Sequence, residues 1–343
     1  MALFGLFITL LVPELSFSEA PFYEGKTIRL IEARRVGGTG DMRVRSILPI
    51  LQKHIPGNPT IALEYMPGGG GRKAANYLYK SARPDGLTIA NLSSSTIPQA
   101  VWGAAAVEYD VDTFGYLGTF YHKRRSIFFT MKKAGLSTIE DLLAKSGIRI
   151  GEQSVGFPNY IRSRLIAWLA DLQEPKFVTG YSSAEAYAAM LRGELDARTT
   201  NFDSFLVEKP DWIKKGLVDL HITIEVPAGN THPEFPHLRE IGTFAKTEKE
   251  RRLIAMARGF ETLGQPTVAP PGVPKDRLAI LQEAFRKALS DPEFLQNYKK
   301  LTGDDPSPMM PEEVEKVIRE LPRDTELVEL YKKIAGGGPL PVR

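Results

Sequence analysis

Short runs rich in apolar and β-branched residues alternate along this chain with segments whose apolar residues recur every three or four positions. The runs that predict strands are 27–31, 61–65, 87–92, 127–130, 148–151, 177–179 and 220–224. Segments that predict helices lie between them. Strands and helices in alternation are typical of an α/β fold with largely parallel sheets.

Capping residues mark several helix ends. The segments 137–140 and 182–185 both read Ser-x-x-Glu, the capping box in which two side chains satisfy each other's backbone N–H groups. Gly147 and Gly193 stand where helix-terminating glycines belong. The pair at 291–292, Asp-Pro, predicts the end of one helix and the capped start of the next.

The helix before that stop carries Leu278, Leu281, Phe285 and Ala288 at helical spacing. Such a stripe is typical of core packing and not of a binding site. The residues from Gly336 onward have no comparable pattern, and we expect a frayed tail there.

A glycine-rich loop follows the first predicted strand and reads Val36-Gly37-Gly38-Thr39-Gly40-Asp41. Glycines let the backbone approach a ligand closely, and the first turn of the following helix leaves N–H groups free to donate to a carboxylate or phosphate. The alternative is an ordinary strand-to-helix junction. The glycine spacing matches neither G-x-G-x-x-G nor a P-loop ending in Gly-Lys-Ser/Thr, which disfavours nucleotide binding.

Two further loops also follow predicted strands. The segment 152–160 follows the strand predicted at 148–151, and Ser93-Ser94-Ser95-Thr96 follows the strand at 87–92. Each hydroxyl-bearing loop on its own is also explained as a helix cap. All three loops fall at the carboxyl ends of predicted parallel strands, however, and open α/β sheets bind their ligands at those ends.

Composition narrows the possible partners. With 343 residues, of which 43% are hydrophobic, the chain can bury one large core or two domains. A net charge of +3 arises from 44 basic and 41 acidic residues without a long basic run, so we expect no nucleic-acid partner. The absence of cysteine excludes disulfides, thiolate nucleophiles and zinc-thiolate sites.

No catalytic constellation emerges from the remaining polar residues. The five histidines are scattered, and the two nearest each other, His232 and His237, lie in a proline-rich stretch that is not helical. Neither G-x-S-x-G nor H-E-x-x-H occurs. Carboxylate pairs at 304–305 and 312–313 are typical of solvated charge. We therefore expect no metal, no cofactor and no catalytic residue, and three anion-receiving loops without a catalytic group favour a binding protein.

The first twenty residues predict export. Residues 2–12 are apolar, Pro13 follows, and Ser18-Glu19-Ala20 is typical of a cleavage site, so 1–20 resembles a signal peptide cut after Ala20. The apolar run is shorter than the roughly 20 residues that span a bilayer, which makes a permanent anchor the weaker alternative. The usual positively charged start is missing from this segment.

The order of motifs resembles that of the Bug-type solute receptors, the extracytoplasmic binding subunits of tripartite tricarboxylate transporters. The match is collinear from Tyr23 to Val317. The motifs that carry it are 37–41 (GGTGD), 66–71 (MPGGGG), 83–89 (RPDGLTI), 192–197 (RGELDA), 268–274 (VAPPGVP) and 290–292 (SDP).

This resemblance implies a fold and a division of the chain. The expected fold is α/β with a two-lobe periplasmic-binding-protein type II architecture, in which a ligand is held in the cleft between the lobes. Lobe 1 would comprise 21–123 and 239–343, and lobe 2 would comprise 124–238. The chain would cross between them near 120–125 and near 226–238.

The resemblance also implies site residues. In the family, the first glycine loop and a second-lobe loop at a helix start hold a ligand carboxylate. The corresponding positions here are Gly37, Gly38, Thr39, Asp41, Ser154, Gly156, Phe157, Pro158 and Asn159, with Ser94 and Thr96 in the third loop and Asn201 and Asp203 on a second-lobe segment. We expect the glycines of 66–71 to be structural, turning the chain after a strand.

Two departures from the family pattern affect the site. Ala33-Arg34-Arg35-Val36 stands where relatives have an apolar stretch, and Arg35 is a candidate for a bidentate pair with a ligand carboxylate. The alternative is that Arg34 and Arg35 are solvated or paired with acidic neighbours. Asn159-Tyr160 replaces a Gly-His pair common in relatives, so the ligand is expected to differ from theirs.

The leading hypothesis is a periplasmic, monomeric receptor that captures a small carboxylate and delivers it to membrane transporter subunits. A sensory receptor that presents its ligand to a membrane kinase is one alternative, and an enzyme on the same two-lobe fold is another. The sequence does not name the ligand, because backbone N–H groups recognise only the carboxylate that many ligands share.

Overall fold

The structure is a computed structural model, and it describes residues 21–321 and 323–343; the expected signal peptide, 1–20, lies outside the described residues. The strands, numbered in chain order, are β1 (Thr27–Glu32), β2 (Thr60–Tyr65), β3 (Thr88–Asn91), β4 (Gly115–Gly118), β5 (Arg124–Met131), β6 (Arg149–Glu152), β7 (Lys176–Thr179), β8 (Ala197–Asn201), β9 (Val218–Val226), β10 (Arg239–Glu240) and β11 (Thr267–Ala269).

Helices connect and cover these strands. They are α1 (Thr39–His54), α2 (Arg72–Lys80), α3 (Thr96–Val101), α4 (Ile139–Ala144), α5 (Pro158–Leu169), α6 (Ser183–Arg192), α7 (Phe202–Glu208), α8 (Pro210–Lys214), α9 (Glu248–Thr262), α10 (Lys275–Ser290), α11 (Pro292–Thr302), α12 (Pro311–Arg319) and α13 (Thr325–Ala335). Short 3-10 turns lie at Gly69–Gly71, Lys132–Ala134 and Ile241–Phe244.

The first sheet has the strand order β2-β1-β3-β11-β4. Strands β2, β1 and β3 are parallel, with Leu30 opposite both Leu63 and Ile89, whereas β11 runs antiparallel to both of its neighbours. Both faces of β1 are covered, because Leu30 packs into one apolar cluster and Ile31 into another. Burial on both faces is typical of parallel strands flanked by helices.

The second sheet has the strand order β10-β9-β5-β8-β6-β7. Its long strand β5 is antiparallel to β8 and β9, and β6 is parallel to β7 and β8. The predicted α/β class with two sheets is confirmed. The prediction of largely parallel sheets is wrong for the strands beside β5.

The chain passes from β4 of the first sheet to β5 of the second through residues 119–123, close to the expected first crossing. Beyond the expected return near 226–238, Arg239 and Glu240 still pair with Ile222 and Thr223 in the second sheet, and the next strand of the first sheet is β11. The crossings near 120–125 and near 226–238 and the lobe limits at 123/124 and 238/239 stay predictions.

Helix ends agree with the capping analysis at most positions. Ser182 and Glu185 form the expected capping box, Gly193 ends α6 with φ +84°, and Asp291 caps α11. The box expected at 137–140 is displaced by one residue: Thr138 is the cap and Asp141 its partner. An aspartate side chain satisfies the cap N–H as a glutamate would, so the alternative register forms.

The C-terminal segment is ordered against α5, which makes the expected frayed tail wrong. Trp168 Nε1 donates to the carbonyl of Pro341 at 2.9 Å, and Arg164 donates to Gly338 at 2.8 Å. The guanidinium group of Arg343 donates to Glu250 at 2.6 Å. Side-chain donors on α5 thus bind the backbone carbonyl groups of the tail, although the tail's own sequence has no helix or strand pattern. Among the described residues, no helix combines the length and apolar character that crossing a membrane requires.

Candidate functional site

The first glycine loop joins β1 to α1, and an aspartate of the helix closes it. Gly37 has φ +86°, a conformation that favours glycine, and its N–H donates to Oδ2 of Asp41 at 2.9 Å. Gly38 is the cap residue of α1, and no side chain caps this helix. The first-turn N–H groups beginning at Thr39 are those that a helix leaves without internal partners.

Asp41 is an organiser of this loop. Its buried carboxylate also accepts hydrogen bonds from Tyr65 at 2.6 Å and from Arg45 at 2.8 Å. Burial opposes ionisation, but the hydrogen bonds from Tyr65 and Gly37 and the charge of Arg45 together lower the pKa of Asp41. The carboxylate of Asp41 is therefore ionised at neutral pH. Its hydrogen-bond donors are the N–H of Gly37 and the side chains of Tyr65 and Arg45.

The two arginines before the loop have different environments. Arg34 forms an ion pair with Glu32, whose side chain is fully buried, and its guanidinium group also donates to the carbonyl of Leu92 at 3.3 Å. The alternative of pairing with an acidic neighbour thus holds for Arg34. Arg35 is exposed, and no hydrogen bond or ion pair of its side chain occurs within the described residues.

The second loop joins β6 to α5. A turn closes it, since the N–H of Phe157 donates to the carbonyl of Ser154 at 3.0 Å and Gly156 has φ +77°. Pro158 occupies the first helical position, and the cap residue Phe157 offers no side-chain acceptor. The side chain of Asn159 accepts a hydrogen bond from Arg162 at 2.6 Å, so this predicted residue is already engaged.

Loops of the two sheets meet at Gln99. Its side-chain amide lies 3.4 Å from the carbonyl oxygen of Gly70 and 3.3 Å from that of Gly156. A Cβ on Gly70 would lie 2.6 Å from the oxygen of Gly156, so a glycine is required for this approach. Gly70, one of the glycines of 66–71 that were expected to be structural, therefore also faces the second loop.

The third loop packs behind Gly70. Ser95 donates a 2.6 Å hydrogen bond to the carbonyl of Gly70, and Ser94 and Thr96 are buried. The hydroxyl oxygen of Thr96 is buried with no hydrogen-bond partner among residues 21–321 and 323–343. Ser94 and Thr96 thus lie beside the meeting point of the two sheets' loops.

The two predicted residues on the second-sheet segment have partners within the protein. Asn201 caps α7 by accepting from the N–H of Ser204 at 2.8 Å. Asp203 is paired with Arg125 at 3.0 Å, and Arg125 also donates to the carbonyl of Asn230 at 2.7 Å. These contacts tie the start of β5 to α7 and to the segment after β9.

Sequence reasoning missed Glu208 and Arg43 as residues near the site, and it expected Asp304 to be solvated, whereas Asp304 is buried. Thr39 donates to Glu208 at 2.7 Å, and Arg43 donates to Asp304 at 2.6 Å, with Ser204 3.4 Å from the same carboxylate oxygen. Burial raises the pKa of Asp304, and the guanidinium group of Arg43 opposes that shift. No local signal marks these residues, because each contact joins positions a hundred or more residues apart.

The histidines do not form a metal site with other ligands. Across the described part of the chain, no group of three or more histidine, aspartate or glutamate side chains is arranged to hold a metal ion. His221 is buried against Thr130 at 2.8 Å, and burial lowers its pKa to about 4. It is therefore a neutral core residue.

Comparison with solved structures identifies the fold. The periplasmic binding protein BugD superposes with a TM-score of 0.68 at 16% identity, covering 92% of this chain and 99% of that one. MatC from Rhodopseudomonas palustris with bound malate gives a TM-score of 0.64 at 17% identity, with 90% and 99% covered. A second R. palustris protein, with adipate, gives 0.64 at 16% identity, with 90% and 97% covered.

These similarities span nearly the whole chain. The protein therefore has the two-lobe fold of Bug- and TctC-type periplasmic binding proteins, and the resemblance seen in the motifs is confirmed at the level of the fold. No protein-family model matches the sequence, and no curated protein matches it either.

Proposed function

We propose that this protein is an extracytoplasmic solute receptor that captures a small organic anion, a carboxylate, and delivers it to a membrane transporter of the tripartite tricarboxylate type. The observation that carries the proposal is the meeting of loops from both sheets at Gln99, between Gly70 and Gly156. A ligand held there contacts both lobes at once. The neighbours with malate and adipate support a carboxylate ligand.

The chemistry of the loops supports an anion. Two of them lead into helices, α1 and α5, whose first residues have no side-chain cap. Uncapped first-turn N–H groups and the positive end of the helix dipole both favour negative charge. In this proposal the ligand carboxylate binds at Gly38 and Thr39 on one side and at Ser154 and Gly156 on the other, while Gly37 and Asn159 shape the two loops through their bonds to Asp41 and Arg162.

The other predicted residues hold or line the loops in this proposal. Asp41 fixes the first loop, Phe157 and Pro158 set the start of α5, and Ser94 and Thr96 line the third loop. Asn201 and Asp203 hold the second-sheet segment, and Arg35 is the exposed cation at the rim. None of these groups supplies a nucleophile together with a base, which supports binding without turnover.

Closure follows from differential affinity. A ligand that bridges both loops binds the closed arrangement more tightly than an open one, so it shifts the population toward the closed form. We propose that the protein is exported and acts as a monomer in the periplasm, where its structural neighbours are found.

Thermal unfolding in the presence of mono-, di- and tricarboxylates tests the proposal. A ligand at a concentration of 100 times its Kd adds roughly 2.7 kcal/mol to the stability of the folded state. Small-angle scattering of the same samples should show a smaller radius of gyration on saturation. If no acid stabilises the protein, or if binding leaves its dimensions unchanged, the receptor mechanism is wrong.

A further inference from the structure

The C-terminal segment, residues 336–343, lies along one face of α5. Three side chains of that helix, spaced four residues apart, donate hydrogen bonds to backbone carbonyl groups of the segment. These bonds are 2.8–2.9 Å long and join Tyr160 to Gly336, Arg164 to Gly338, and Trp168 to Pro341. Residues at this spacing share one face of a helix, so the segment follows α5 from its first turn onward.

Arg343 anchors the other end of this segment. Its guanidinium group donates to the carbonyl of Leu169 at 2.5 Å, to that of Phe244 at 2.6 Å and to the carboxylate of Glu250 at 2.6 Å. Leu169 is the last residue of α5, and Glu250 lies in the first turn of α9. Both ends of the C-terminal segment are therefore bonded to the elements that pack around α5.

Arg164 couples the C-terminal segment to the packing of α5. This arginine is 3% exposed, and its Cζ atom lies 5.5 Å from the centre of the Tyr160 ring and 5.0 Å from that of Phe177. Its guanidinium group donates to the carbonyls of Ile334 and Gly338. Burying a cation is costly unless it has hydrogen-bond partners, so α5 packs at its lowest free energy only with the segment in place.

The start of the C-terminal segment contacts the second loop of the candidate site, residues 153–157. A Cβ atom added to Gly337 would lie 3.6 Å from both methyl carbons of Val155, which is an ordinary van der Waals distance. Val155 is 48% exposed and precedes Gly156, whose φ of +77° turns the loop. The segment therefore lies directly beside this loop.

Tyr160 joins the C-terminal segment to the other end of the same loop. It is the third residue of α5 and is 2% exposed. The N–H of Ile161, the next residue, donates to the carbonyl of Phe157 at 3.0 Å, and Phe157 ends the loop. The tyrosine that departs from the pattern of the resembled family thus connects the segment to the loop through the first turn of α5.

We propose that the C-terminal segment positions the second loop for ligand binding, and that Tyr160 is the positioning residue that connects the two. The segment restricts the loop before a ligand arrives, so less conformational entropy is lost on binding. The effect on affinity rests on the proposed function. The effect on the loop itself needs no ligand, so the two can be tested apart.

Hydrogen exchange of the ligand-free protein, measured residue by residue by NMR, tests the restraint on the loop. The N–H groups that report on it are those of Phe157 and Ile161, which donate to carbonyls at 3.0 Å. In Tyr160→Phe, which removes only the hydroxyl, both should exchange about fivefold faster, the factor that one hydrogen bond of ordinary strength contributes. The N–H of Gly37, in the first loop, should keep its rate.

Tyr116→Phe is the matched control. Tyr116 is also 2% exposed, and its hydroxyl donates to the carbonyl of Val111 at 2.7 Å, beside the first sheet. This variant should leave the exchange of Phe157 and Ile161 unchanged. If Tyr160→Phe does not change these rates, or if both variants raise them equally, the proposal is wrong, because the hydroxyl of Tyr160 then has no specific effect on the loop.

A second pair of variants acts in the opposite direction and leaves Tyr160 in place. Gly337→Ala adds a methyl group in contact with Val155, whereas a Cβ on Gly338 meets nothing within 4 Å. Neither glycine has a φ in the left-handed range, so alanine fits both positions. The exchange of Phe157 should be about twofold slower in Gly337→Ala than in Gly338→Ala, because a buried methyl group stabilises the contact. Equal rates in the two variants overturn the proposal.

Calorimetry with malate and adipate connects the loop to binding. The affinity should fall about fivefold in Tyr160→Phe and stay the same in Tyr116→Phe. Equal affinities in these two variants overturn the positioning role. If the unmodified protein binds none of the acids in the thermal screen, the proposed function is wrong, and the exchange rates of Phe157 still decide whether the C-terminal segment restrains the loop.

Discussion

The hydroxyl of Thr39, in the first turn of α1, donates a 2.7 Å hydrogen bond to the carboxylate of Glu208 at the end of α7, although 169 residues separate them in the chain. Thr39 follows a strand of the first sheet, and α7 follows a strand of the second. In the proposed closing motion, the bond therefore forms only when the two lobes come together. Its removal should shift the balance between open and closed forms without damaging either lobe.

The variant Thr39→Val deletes this bond at nearly constant volume. A hydrogen bond to a charged group contributes roughly 1.5–3 kcal/mol when buried, and this one is exposed, so we expect the ligand affinity to fall by about three- to tenfold. Most of the change should appear in the dissociation rate. Thr243→Val removes an exposed threonine hydroxyl bond within the segment 240–243 and should have no effect. A larger loss for the control than for Thr39→Val would contradict the closure role.

Gly70 offers a sharper test of closure. In Gly70→Ala the new Cβ would lie 2.6 Å from the carbonyl oxygen of Gly156, which prevents the two loops from meeting. We expect at least a tenfold loss of affinity, measured by calorimetry, and no compaction on addition of ligand, measured by small-angle scattering.

The control for Gly70→Ala is Gly103→Ala. Gly103 has φ +62°, close to the +65° of Gly70, but a Cβ there meets nothing within 4 Å. Both variants therefore carry similar backbone strain, and only one carries the steric conflict. If the two variants lose affinity equally, strain and not contact is responsible, and Gly70 has no part in closure.

Arg34 should contribute much more than Arg35 to the folding stability. Arg34→Ala leaves the fully buried Glu32 without its ion pair, and breaking a buried pair costs roughly 3–5 kcal/mol of folding free energy. Arg35→Ala removes an exposed side chain and should change the stability by less than about 0.5 kcal/mol. Denaturant unfolding of both variants measures this contrast, and similar losses in the two would contradict it.

Arg35 carries a separate prediction for binding. If its guanidinium group meets a ligand carboxylate at the rim, Arg35→Ala lowers the affinity for that ligand at least tenfold. Calorimetry at constant ionic strength is the measurement, because exposed charges act over about 8–10 Å at physiological salt. An unchanged affinity would mean that the side chain of Arg35 is solvated and does not contact the ligand.

Much of the fold was predictable because its signals are local. The strand at 27–31, the capping box at 182–185 and the stop at 291–292 each depend on residues within one turn or one strand. The strands β4, β8, β10 and β11 were missed because their signals are not local. β8 reads Ala-Arg-Thr-Thr-Asn and is polar, yet Arg198 and Thr199 are buried because other elements supply their partners.

The site was predictable only in part, for a similar reason. Glycine-rich stretches predict tight backbone turns, and Gly37 and Gly156 do adopt positive φ angles; their contact with a ligand stays a prediction. Gln99 acts through contacts with distant segments, and nothing in its own neighbourhood distinguishes it from an ordinary helix residue. Glu208 is a second such residue, because its partner Thr39 lies 169 residues away in the chain.

The stability should depend on pH through Glu250, which forms the capping box of α9 together with Thr247. Its hydrogen bond from Arg343 is the main cause that lowers its pKa, burial opposes this, and the N–H of Thr247 contributes further, giving a value of about 2 against the usual 4.5. A lowered pKa means that the contribution is complete above pH 4.5 and is lost as the pH falls toward 2. The whole effect corresponds to roughly 3 kcal/mol, of which about 1.4 kcal/mol is lost by pH 3.5.

The variant Glu250→Gln isolates this contribution, because glutamine preserves the capping box but not the charge. Urea unfolding should show a cost of roughly 3 kcal/mol at pH 7 and about half of that at pH 3.5. Glu248→Gln, an exposed position on the same helix, should show a small cost with little pH dependence. If Glu250→Gln costs the same at both pH values, the ion pair with Arg343 does not lower the pKa of Glu250, and the proposed pH dependence is wrong.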